Sequence, residues 1–173
     1  YAVDAIVEIG CAYGGSSLLL LLGKKPTVRV FSIDPFVIDS MGDFKANRNF
    51  CYSHVIRALK SIGLINRCGQ WELIPDYSYK VIKSWQESVD VLFIDGDHNY
   101  EAVKKDFDDW SPFVKLGGFI LFHDSCRVTG TPEIIYNKGW SGPTQLVSEL
   151  EHNPKISLVE QVHSLSVFKK VYA

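Results

Sequence analysis

The sequence predicts a doubly wound α/β domain built on a mainly parallel seven-stranded sheet, with an antiparallel hairpin at its C-terminal end. Three observations carry the expectation. Short apolar runs alternate with longer stretches of helical periodicity, the sign of βαβ units. Several of those runs finish in acidic residues or glycine, as strands do where an open α/β sheet places its chemistry. The last two apolar runs are separated by a few residues, short enough for a hairpin.

Taken in order, the strands are expected at "AIVEIG", "VRVFSID", "WELIP", "VDVLFID", "GGFILFHD", "ISLVEQV" and "LSVFKKV". The clearest helix is "NYEAVKKDFDDWSPFV", where Tyr100, Val103, Phe107 and Trp110 recur at three or four residues while Lys104, Lys105, Asp108 and Asp109 fall elsewhere. Pro112 and the pair Gly117 and Gly118 are expected to close it. A further helix is expected around "QLVSELEH", and Leu18 to Leu22 as the buried face of the first helix. No internal repeat, low-complexity tract or linker interrupts the pattern, so one domain over residues 1–173 is expected. The chain begins at Tyr1 and runs almost directly into a strand, so an upstream segment is expected as well.

Composition narrows the function. With 46% apolar and 22% charged residues and a formal charge of −2, the chain offers no basic footprint for nucleic acid or an anionic membrane. Five consecutive leucines are far short of the roughly 20 apolar residues of a membrane span. The four cysteines, Cys11, Cys51, Cys68 and Cys126, show neither a CxxC pair nor zinc spacing, which suits reduced thiols in the cytoplasm.

The strand ends read together as a ligand site. In "VEIGCAYGGSS" a strand meets a glycine-bearing turn and a helix begins, which lets a ligand approach backbone amides. The dinucleotide fingerprint G-x-G-x-x-G is not met, because Ala12 stands where the second glycine belongs. Glu8 would repel a phosphate and suits a cationic group. Asp34, about twenty residues beyond the turn, can accept hydrogen bonds from two ribose hydroxyls. An adenosine-type ligand without phosphates is therefore expected.

The motifs "VEIGCAYGGSS", "FSIDP", "VLFIDGDHNYEAVKKDF" and "LGGFILFHDS" resemble, in order and spacing, those of the class I S-adenosylmethionine-dependent methyltransferases, which share a Rossmann-like fold. The closest likeness is to a bacterial group with D-G-x-H-x-Y after the fourth strand and G-G-x-x-x-x-H-D at the fifth; catechol and caffeoyl-CoA O-methyltransferases are more distantly similar. The resemblance implies that Glu8, Gly10 and Ser16 serve the methionine end of S-adenosylmethionine, with Cys11, Tyr13 and Gly14 in the same turn. It assigns Asp34 to the ribose and the loop of Asp76 and Ser78 to the adenine, and places Asp95 beside the cofactor. In the metal-dependent relatives, acids at the positions of Asp95 and Asp124 hold Mg2+, and a lysine three residues beyond the first acid takes the hydroxyl proton. His98 stands at that lysine position and has an imidazole suited to the same task. Ser125 replaces the relatives' asparagine, and His123 suits a transition metal better than magnesium.

Plainer readings compete at several positions. A helix-capping role is preferred for Asp76 and Asp97, and a structural one for His123. The expected reaction is O-methylation of a hydroxyl on a sugar or small natural product, catalysed by His98 and Asp95. The rivals are a cofactor-binding module without catalysis and a metal-dependent hydrolase using Asp95, Asp97, His98, His123 and Asp124. Phe36, Phe44, Tyr136 and Trp140 are candidates for an aromatic acceptor pocket. A homodimer is compatible with the C-terminal strand pair and the exposed aromatic residues.

Overall fold

A computed structural model describes residues 4–37, 47–126 and 139–172. Phe44 and Tyr136 lie outside these residues. Seven strands, β1 (Ala5–Ile9), β2 (Arg29–Ile33), β3 (Trp71–Ile74), β4 (Val89–Ile94), β5 (Val114–Phe122), β6 (Ile156–Val162) and β7 (Leu165–Lys170), form one sheet in the order β3-β2-β1-β4-β5-β7-β6. The first five are parallel; β7 runs antiparallel between β5 and β6. The Rossmann-like sheet and the terminal hairpin are therefore as the sequence predicts. Because β1 pairs with both β2 and β4, the strand order reverses there, and a crevice opens at the carboxyl ends of β1 and β4.

Among the described residues five α-helices accompany the sheet: α1 (Gly15–Gly23), α2 (Arg48–Ser61), α3 (Ser78–Val81), α4 (Tyr100–Trp110) and α5 (Ser141–Leu150). Strand residues alternate between two cores. Val7, Ile9, Ile33, Leu92, Ile94, Ile120 and Phe122 pack with Val103, Phe107 and Trp110 of α4 and Leu146, Val147 and Leu150 of α5. Ile6, Val28 and Val30 face Leu21 of α1 and Val55 and Leu59 of α2. Among the described residues no helix is long and apolar enough to cross a membrane.

The structure corrects three local expectations. The fourth helix stops at Trp110, and Ser111–Phe113 make a single 3-10 turn, because Pro112 has no N–H to continue the ladder. Gly117 and Gly118 do not close that helix; they lie inside β5, which starts at Val114. Gly117 has φ +81°, and a Cβ on Gly118 would lie 2.8 Å from the Asp90 carbonyl oxygen, so the strand bends where only glycine fits. The leucine run is not one buried face: Leu21 is buried, but Leu19 is 70% exposed, since five consecutive residues cover more than one side of a helix.

Leu92 lies at the centre of the sheet and is fully buried. Leu92→Ala should cost about 2–5 kcal/mol in urea denaturation without loss of the two-state transition.

Candidate active site at the sheet crevice

Each strand end brings one element of the site. Gly10, after β1, has φ +83°, and a Cβ there would lie 2.1 Å from the Asp95 carbonyl oxygen, so the turn and the end of β4 approach as closely as backbones can. Asp34 fixes the turn from β2: Oδ2 accepts from the amides of Cys11 (3.0 Å) and Ala12 (2.8 Å), and Oδ1 accepts from the amide of Phe36 (2.7 Å). Those bonds hold Ala12 at φ +42°, the left-handed region that the sequence would assign to glycine. Gly14, at φ +84°, starts α1 with no side-chain cap, and Tyr13 packs edge-on to Phe50 at 5.8 Å.

Glu8 points from β1 to the α1 face and is fully buried. Its Oε2 accepts from the hydroxyls of Ser17 (2.6 Å) and Ser32, while Oε1 has no partner among the described residues. Burial pushes the carboxyl above its ordinary range, opposed by the hydroxyls of Ser16, Ser17 and Ser32.

Beyond β4 and β5, two imidazoles and two carboxylates converge. His98 Nε2 lies 3.3 Å from Asp124 Oδ2 and 4.0 Å from Asp95 Oδ1. His123 Nδ1 lies 3.2 Å from Asp95 Oδ1 and 3.3 Å from Asp124 Oδ1. Asp124 and then Asp95 push the His123 imidazole up to about 10, so it is a cation at neutral pH, and the two histidines in turn hold Asp124 well below the carboxylate range. Asp95, His98 and Asp124 each offer one ligand atom, all within 4.8 Å of one another, a grouping that could hold a metal ion. Ser125 is not in that set: its hydroxyl is buried and donates to the Phe122 carbonyl at 2.8 Å, with Ser166 Oγ also 2.8 Å away. Trp140 completes the cluster, its indole stacked on His98 at 4.7 Å and 17° and its amide donating to the Asp124 carbonyl.

A sequence model described as a methyltransferase domain matches residues 7–125, more than half of the chain. The chain belongs to the methyltransferase-domain family. It is of the class I S-adenosylmethionine-dependent kind that the motifs resemble. The protein R132 of Acanthamoeba polyphaga mimivirus is 30% identical over 129 residues, which are 75% of this chain and 55% of R132. The chain thus spans about half the length of that relative. Among solved structures, it is similar to the O-methyltransferase TomG from Streptomyces achromogenes, in complex with SAM, at 16% identity and TM-score 0.65, covering 99% of this chain and 74% of TomG. The SAH-bound methyltransferase PaMTH1 from Podospora anserina gives 16% and 0.63, covering 96% and 71%. At these identities the likeness is one of fold.

The methyltransferase domain departs from the capping roles expected for two aspartates. Tyr77, not Asp76, holds the N-cap position of α3, and Asp76 accepts from the Tyr77 amide and pairs with Lys80 at 3.1 Å. Asp97 accepts from both the backbone and side-chain nitrogens of Asn99, the N-cap of α4, and so shapes the turn before the helix. Ser78 donates to Asp106 Oδ1 at 2.5 Å.

Asp106 is a buried acid on α4 that motif reading missed. It is 8% exposed on the same stripe of α4 as Val103, Phe107 and Trp110, and its carboxyl is pushed up to about 6 by burial. The signal was in the sequence: an acid three residues after Val103 and four before Trp110 falls on the apolar face. Lys105 pairs with Asp109 rather than with Asp106.

A raised folded-state value means that the native protein keeps a proton the unfolded chain releases. Stability from Asp106 should therefore fall as pH rises from about 4 to 6 and stay level above, a change of about 3 kcal/mol. Urea denaturation across that range should show the stability difference between wild type and Asp106→Asn changing by about that amount.

Proposed function

We propose that the domain transfers the methyl group of S-adenosylmethionine to a hydroxyl oxygen of a small molecule, of the sugar or natural-product class. The observation that supports this most is the contact of Gly10 with the Asp95 backbone, which puts a glycine turn without phosphate-binding features against a cluster of histidines and carboxylates.

The residues fit such a cofactor. Glu8 leaves a buried carboxylate oxygen without a partner, chemistry suited to an ammonium group. Asp34 Oδ1 receives one amide and retains acceptor capacity for a ribose hydroxyl. Gly10, Cys11, Tyr13, Gly14 and Ser16 line the turn, and Asp76 and Ser78 stand beyond β3, the neighbour of β2. When bound, the cofactor supplies an electrophilic methyl on a sulfonium.

In this reading His98 is the base. A hydroxyl is a poor nucleophile, and an imidazole within reach removes its proton as the oxygen attacks. Asp124, beside Nε2, and Trp140, across the ring face, hold the imidazole in place. His123 already carries a proton, so it cannot take the hydroxyl's; its charge serves as the counter-cation of Asp95 and Asp124.

A second reading rests on the convergence of Asp95, His98 and Asp124. Those three would hold a divalent ion, which lowers the pKa of a coordinated hydroxyl. Two carboxylates and an imidazole favour a transition metal over Mg2+. His98 Nε2 would then be a ligand and not a base.

Calorimetric titration with S-adenosylmethionine and S-adenosylhomocysteine tests the cofactor, and micromolar binding of both is expected. Asp34→Ala should weaken binding by tenfold or more, about 1.4 kcal/mol, because it releases the turn as well as the ribose. His98→Ala should leave binding within about threefold and lower methyl transfer by about 10²–10⁴. Equal loss of binding in both variants would contradict this division of roles. Turnover that persists in EDTA would keep His98 as the base; turnover lost in EDTA and restored by a divalent ion would select the second reading.

A further inference from the structure

The segment from Gly139 to Gly142 has no space for a side chain at either end. Gly139 has φ +70°, and a Cβ there would lie 2.9 Å from the Asp124 carbonyl oxygen and 2.7 Å from Thr144 Oγ1. A Cβ on Gly142 would lie 2.2 Å from the His98 carbonyl oxygen, 2.6 Å from the Tyr100 nitrogen and 2.8 Å from the Asn99 carbonyl carbon. Those three are backbone atoms and cannot turn aside as the end of a side chain can. Two glycines thus bring one short segment against both members of the pair His98 and Asp124, which stand 3.3 Å apart although they follow different strands.

Trp140, between the glycines, touches the same two residues. Its amide donates to the Asp124 carbonyl at 2.8 Å, and its indole lies on the His98 ring at 4.7 Å and 17°. Asp124 needs such a partner, because its φ of +52° is a conformation that a residue other than glycine keeps only where its surroundings fix it. Behind the segment, α5 is anchored by the buried side chains of Leu146, Val147 and Leu150. None of residues 95–99 is buried. Where α5 and the turn of His98 meet, the turn is therefore the part that yields.

We propose that Trp140 and Gly142 are positioning residues that set the His98 imidazole against Asp124. Gly142 lets the turn come close enough for the stack, and Trp140 holds the ring over Asp124. Both act through His98. The task that this placement serves, that of a base or of a metal ligand, rests on the reading above; the placement itself does not.

The test uses the full chain at one pH well above the ordinary imidazole value of about 6.5, so that protonation of His98 does not enter. In proton NMR the ring resonance of His98, assigned by its disappearance in His98→Gln, should stand upfield of that of exposed His152, because an indole face lies over it. Gly142→Ala keeps the tryptophan and introduces a better helix former, yet the resonance should lose most of its displacement. Gly23→Ala, in α1 with nothing within 4 Å of the new Cβ, should leave it in place. A merely structural role for Gly142 would lower the melting temperature and leave the resonance where it is. Trp140 is 39% exposed, so Trp140→Leu tests the second residue without opening the core. There the rate at which diethyl pyrocarbonate modifies His98, relative to His152 in the same molecule, should rise at least about threefold, as expected when an aromatic stack is lost. An unmoved resonance in folded Gly142→Ala overturns the inference, and so does an unchanged ratio in Trp140→Leu, which decides the matter if Gly142→Ala does not fold. Methyl transfer undiminished in His98→Ala would overturn the reading of His98 as base or ligand and leave these results standing.

Discussion

A close backbone approach governs the candidate site. At the crevice between β1 and β4 the α-carbon of Gly10 lies against the carbonyl of Asp95, with no space for a side chain. Two backbone bonds reinforce that contact, from the Gly10 amide to Ile33 and from the Asp95 amide to Ile9, so three adjacent strands end in register. Glycine is required there twice over, by its positive φ and by the missing volume. The turn, the acid of β2 and the cluster beyond β4 are neighbours because of it. A larger residue at position 10 would separate the turn after β1 from the histidine and carboxylates beyond β4.

Electrostatics then divides labour among groups of similar chemistry. Glu8, Asp34, Asp95, Asp106 and Asp124 are all strand-end or helix carboxylates, yet each is satisfied differently. Asp34 takes three backbone amides, Glu8 takes hydroxyls and leaves one oxygen over, Asp106 takes one hydroxyl, and Asp124 stands between two imidazoles. The two histidines differ as well. His123 sits between both acids, which push its imidazole up to about 10, while His98 lies nearer Asp124 than Asp95 and is stacked on Trp140.

Much of this was readable from the chain. Strand order cannot be read from one sequence, but the strands themselves could, because runs such as "VDVLFID" are buried on both faces and carry near-continuous apolar residues. The helix ending at Trp110 was over-extended because the periodic residues continue into Phe113, while Pro112 breaks the backbone ladder without breaking the pattern. Glu8, Gly10, Asp34, Asp95, His98 and Asp124 were legible as strand-end residues, and the structure gathers them around one crevice. Three things were not legible. Ser125 looked like a ligand by position, but its hydroxyl is turned into the sheet toward Ser166, a strand 41 residues away. His123 looked incidental, because its partner Asp95 comes from another strand. Asp106 was passed over because the eye follows the apolar residues of a stripe and skips the acid among them. All three depend on contacts across the fold, which spacing along the chain does not encode.

The hairpin has a consequence for how the chain is made. Because β7 lies between β5 and β6, the last of these seven strands in chain order is an interior strand of the sheet. Until Lys170 has emerged from the ribosome, β5 has an open edge of unpaired amides and carbonyls, with Phe122 awaiting Phe168. The sheet therefore stays unfinished until β7 has been made. The half of the protein that holds the glycine turn and the histidine cluster is synthesised well before the strand that closes the sheet beside it, and in that interval it depends on chaperones or on speed.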